Sequence, residues 1–67
     1  MNADQYDFIG RLHQSIEEHF TKGDSALVAC LRGVYVNLPD NPTAAISSAI
    51  EDGLDSWFIT ELKRTFG

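Results

Sequence analysis

The segment DSALVACLRGVYVNL, residues 24–38, decides the fold, because no other stretch of the chain is too apolar to face water on any side. As a helix turning about 100° per residue, it sets Leu27, Val28, Leu31, Val34, Tyr35 and Leu38 on one broad stripe. The opposite side is small instead of polar. Ala26, Ala29, Cys30 and Gly33 recur there at helical spacing, so a neighbouring helix has room to come close; only Arg32 and Asn37 demand solvent. A helix apolar nearly all round is a buried one, which predicts a central helix over residues 25–37 with neighbours on two sides. The rival is a buried strand, since Val34-Tyr35-Val36 is β-branched and aromatic and Gly33 is a poor helix residue. Length favours the helix, as do the capping residues Asp24 and Ser25 before it and Pro39 after it.

Towards the N-terminus, Tyr6, Ile9, Leu12, Ile16 and Phe20 fall at intervals of three and four, the pattern of an amphipathic helix. Asn2 or Asp4 can cap it, Asp4 and Asp7 suit its positive end, and Gly23 supplies the left-handed residue that stops it after Lys22. On this wheel His13 lies within the stripe, Phe8 and His19 lie at its edge, and Asp7, Arg11, Gln14 and Glu18 face water. The short Thr21–Ser25 connection predicts an antiparallel hairpin of the first two helices.

Towards the C-terminus, residues 37–42 form the strongest turn, with Asn41 as N-cap and Pro42 at the first helical position. A third helix then runs to about Asp52, with Ala45, Ile46, Ala49 and Ile50 inside. Gly53 breaks the chain, Asp55 caps a further helix, and Phe58, Ile59, Leu62 and Phe66 form its inner face. A continuous helix through Gly53 is the alternative, and it would rotate Phe58, Leu62 and Phe66 away from Ile46 and Ile50. Trp57 lies about 100° from the inner stripe, on the side of Glu61 and Arg64. The expectation is an all-α fold: one domain over residues 1–67, a small bundle of three to four short helices around the central one.

Sixty-seven residues bury a limited fraction of their surface, and one cysteine permits no internal disulfide, so self-association is the remaining aid to stability. A lone Cys30 amid apolar residues reads as a small hydrophobe in a reducing, cytoplasmic setting. No secretory signal or membrane-spanning run is visible. Ten acidic residues against five basic give a formal charge of −5, which disfavours binding to phosphates or anionic lipid and keeps a small domain soluble.

No catalytic motif stands out, and the expectation is a non-enzyme without cofactor or metal. His13 and His19 stand six apart and cannot grip one ion from one helix face, whereas His13 and Glu17 can hydrogen-bond. Glu51, Asp52 and Asp55 lack the alternating ligands of a calcium loop. The third helix carries no Arg or Lys, so it is no reader of DNA. What remains is a regulatory or inhibitory protein-interaction module that masks a surface of a larger protein. The alternative is an acidic decoy in the site of a DNA- or RNA-binding protein. Phe8, Tyr35 and Trp57, with the small face Ala26, Ala29, Cys30 and Gly33, are the candidate partner or dimer surface, with a homodimer meeting near Gly33 or Trp57.

Overall fold

Each helix begins where a side chain can satisfy its first free amides, and the result is a chain of four helices with no strand. The computed structural model describes residues 1–67 as α1 (Ala3–Thr21), α2 (Ser25–Asn37), α3 (Pro42–Glu51) and α4 (Ser56–Phe66). Asn2 caps α1 through a reciprocal box, its Oδ1 accepting from the Gln5 amide at 2.9 Å while Gln5 Oε1 accepts from the Asn2 amide at 3.0 Å. Asp24 accepts from the Leu27 amide at 3.4 Å and Asn41 from the Ala44 amide at 3.2 Å, with Pro42 opening α3. Asp55 occupies the N-cap of α4, but its side chain accepts no capping bond. Gly23 and Gly53 take left-handed φ values of 79° and 67°, a conformation costly for other residues, and they end α1 and separate α3 from α4. The predicted break at Gly53 is therefore real. In the turn before α3, the Leu38–Pro39 peptide is cis.

The helices close a ring. Helix α2 packs against α1 and α3, α4 packs against α3 and α1, and neither diagonal pair comes close. Val34, Ala45, Ala49 and Leu62 are wholly excluded from water at the centre, with Phe8, Leu12, Leu31 and Leu38 around them. This is the small helical bundle that the apolar periodicity predicts.

Helix α2 does have neighbours on two sides, yet its small-residue face is divided between a helix contact and water. Gly33 abuts α3, where a Cβ on it would lie 3.3 Å from Ser48 Oγ. Ala26, Ala29, Arg32 and Val36 are exposed. The Asn37 amide folds back to donate to the Gly33 carbonyl at 2.9 Å instead of reaching into solvent.

Helix α1 is rotated relative to the stripe read from sequence. Phe8, expected at the edge, is a core residue that meets Phe58 at 5.6 Å and Phe66 at 5.7 Å between ring centroids. Tyr6 and Phe20, expected inside, are 64% and 73% exposed. The reason is that α1 has two partners. Its buried arc bisects the directions of α2 and α4, and the aromatic cluster on α4 draws Phe8 inwards. The Gln5 amide adds a tie across the same seam by donating to the Thr65 carbonyl at 3.3 Å. On α3, Ala45 and Ala49 alone are fully inside, and Ile50, expected on the inner face, is half in water.

Candidate functional site

Rotation of α1 leaves a cleft on each flank of that helix. The first, of about 750 Å³, opens between α1 and α4 over the start of α2. Its floor is apolar, carried by Phe8, Leu12, Leu31 and Phe58, and Trp57 stands at its edge 67% exposed, with its ring edge-on to Phe58 at 6.1 Å. Trp57 thus projects beside Glu61 and Arg64, as its position on the helical wheel predicts.

Charge collects around this cleft. Arg11 and Arg64, two of the five basic residues, both line it, facing Glu61 and Asp55. Arg64 donates to Glu61, and that bond, with the nearby Arg64 and Arg11 charges, holds the Glu61 carboxyl below its ordinary pKa although partial desolvation opposes them. Arg11 also pairs with Asp7 at 2.8 Å on the exposed face of α1. His19 contributes a defined acceptor. Its Nδ1 lies 2.7 Å from the Ser15 carbonyl, which can only accept, so in the neutral ring Nδ1 holds the hydrogen and Nε2 carries the lone pair.

The second cleft, of about 520 Å³, lies between α1 and α2 on the other flank. Phe20 and Val36, 73% and 72% exposed, border it above Ile16 and the buried Val28. His13 stacks on Tyr35 at 5.8 Å and approaches Glu17 at 3.5 Å, the pairing its spacing predicts.

The residues singled out from sequence are scattered over the molecule. Phe8 is a core residue that shows only as part of the floor of the first cleft; Gly33 is occupied by Ser48; Ala26 and Ala29 are exposed on α2. Cys30 is half-buried beside Asp52, and partial desolvation followed by that carboxylate pushes its thiol pKa up. It does not line the cleft that His13 and Glu17 border. Tyr35 borders the second cleft and Trp57 the first. No three His, Cys, Asp or Glu side chains converge as a metal site. Sequence reading missed Arg11, Arg64, Phe20 and Val36. Only the angle between helices brings the two arginines together, and only the rotation of α1 exposes Phe20.

Compared with known proteins, the chain matches no family model, no curated protein and no solved structure.

Proposed function

We propose that this chain is a small regulatory or inhibitory module that binds a larger protein through the α1–α4 cleft and masks the surface it covers. The observation that supports this reading is Trp57, an aromatic side chain two-thirds exposed at the edge of an apolar floor. Exposed tryptophan beside desolvated aromatic surface is the composition of an interface anchor, and Arg, the other enriched residue, stands on the same rim at positions 11 and 64. A decoy for nucleic-acid-binding proteins would want unbroken acidity, which two arginines interrupt here. The reading includes a homodimer and a reducing, cytoplasmic setting, the latter resting on the single free Cys30. No helix is long and apolar enough to cross a membrane.

The test uses the immobilised chain beside its Trp57→Ala variant. A partner held by the wild-type chain should bind the variant about 30-fold or more weakly, the effect of a hot-spot residue worth about 2 kcal/mol. Circular dichroism should show equal melting of both. Equal retention of every bound protein by the two forms would dismiss the cleft as the binding surface.

A further inference from the structure

Tyr6, Ile9, His13, Ile16 and Phe20 are spaced three, four, three and four apart, a heptad seam along the flank of α1 of which Tyr6, His13 and Phe20 face away from the bundle's centre. Ile9 and Ile16 are half-buried against the core, while Tyr6 and Phe20 stand in water. From the α2 side the seam is continued by Tyr35 and Val36, so the α1–α2 hairpin presents a shallow apolar trough along its outer face. A seam of this period is what a helix presents to another helix, and within the chain its members Tyr6 and Phe20, with the neighbouring Val36, stay uncovered.

We infer that this face is covered by a second copy of the chain, the two hairpins meeting across a two-fold axis as a layer of four helices. The inference rests on the homodimer in the proposed function and moves its interface away from both Gly33, which α3 already occupies, and Trp57. Charge argues for a copy as the occupant. The chain carries −5 overall, so two copies repel each other unless the face on which they meet offers charges of both signs. The rim of this trough supplies one of each sign, Glu17 on α1 and Arg32 on α2, whereas the arginines of the α1–α4 cleft already pair with Asp7 and Glu61. Arg32 forms no ion pair within the chain, and Glu17 meets only His13. Two-fold pairing of the same patch sets Arg32 of each protomer towards Glu17 of the other, as an isologous interface requires.

Size and burial agree. At 1.5 Å per residue α1 is about 28 Å long and α2 about 20 Å, and at about 9 Å spacing the two offer a face of roughly 430 Å² in projection. A face of that size lies below the ~800 Å² per partner of a standard specific interface and suits a dimer that dissociates in the micromolar range. Only nine of 67 residues are buried in the single chain, so added burial has a large relative effect on its stability.

Sedimentation equilibrium across micromolar concentrations tests the proposal with five variants of the full chain. Phe20→Glu and Val36→Glu alter side chains that the single chain leaves in water, so both should fold, as circular dichroism at low concentration will verify. Each should raise the dimer dissociation constant at least tenfold, and Trp57→Ala should leave it within threefold. Arg32→Glu should weaken the dimer at least fivefold, and adding Glu17→Arg to it should recover most of that loss. A dimer indifferent to both Phe20→Glu and Val36→Glu would place the interface elsewhere and overturn the proposal while sparing self-association. A wild-type chain that stays monomeric at every concentration would overturn self-association itself.

Discussion

A methyl group placed on Gly33 would stand 3.3 Å from Ser48 Oγ, so α2 and α3 meet at a separation set by a missing side chain. Alanine at 33 gains up to about 1 kcal/mol of helix propensity and loses part of it to that contact. Gly33→Ala should therefore stay within about 0.5 kcal/mol of wild type in urea melts. Gly33→Ala added to Ser48→Ala should gain about 1 kcal/mol over Ser48→Ala alone, because the obstructing oxygen is gone. Gly33→Leu should lose more than about 2 kcal/mol by forcing the helices apart. Equal stability for glycine and leucine at 33 would refute this packing.

Phe8 and Phe20 reverse the roles that their spacing suggests. Phe8→Ala removes the ring packed against Phe58 and Phe66 and should cost about 3 kcal/mol, enough to unfold much of a domain this small. Phe20→Ala, at a side chain mostly in water, should change single-chain stability by less than about 0.5 kcal/mol. Thermal melts at low concentration should rank them so; the opposite ranking would restore the unrotated helix.

Acid should weaken the α4 ion pair in a way that one substitution isolates. The Glu61 carboxyl has a folded pKa below its unfolded value, chiefly through the bond from Arg64. Its contribution is therefore full above the unfolded glutamate pKa of about 4.3 and is lost as pH falls through the folded value. Glu61→Gln should be less stable than wild type at neutral pH, by a small margin for a surface pair, and the two curves should converge in acid. A constant gap at all pH values would show that the loss is not ionic.

Cys30 should be a slow thiol. Partial desolvation and the neighbouring Asp52 carboxylate disfavour its thiolate, the form that reacts with alkylating reagents. Asp52→Asn should speed alkylation by iodoacetamide at mildly alkaline pH and shift the rate profile to lower pH. Unchanged rates would mean that Asp52 does not act on the thiol.

What the sequence discloses here is mostly local. Asn2, Asp24, Asn41-Pro42, Gly23 and Gly53 act within a few residues of themselves, so the helix boundaries can be read directly, and the interior face of α4 follows from Phe58, Leu62 and Phe66. The orientation of α1 cannot be read so. Its apolar residues fill two overlapping arcs, one through Phe8 and Leu12 and one through Tyr6, Ile9, Ile16 and Phe20, and the sequence of one helix does not say which arc its neighbours will cover. The α4 side of the cleft was legible, because the offset of Trp57 from the inner stripe, towards Glu61 and Arg64, is a property of α4 alone. The approach of Arg11 to Arg64 depends on how two helices far apart in sequence are set against each other.

The ring of helices bears on the order in which the molecule assembles. Three of its four contacts join consecutive helices through short turns, so they close small loops and form early at little entropic cost. The α1–α4 contact alone joins the two ends of the chain, through Phe8 with Phe66 and Gln5 with Thr65. It should form last and open first: amides of α4 should exchange with solvent ahead of those in α2, and the cleft at Trp57 should come and go with that opening.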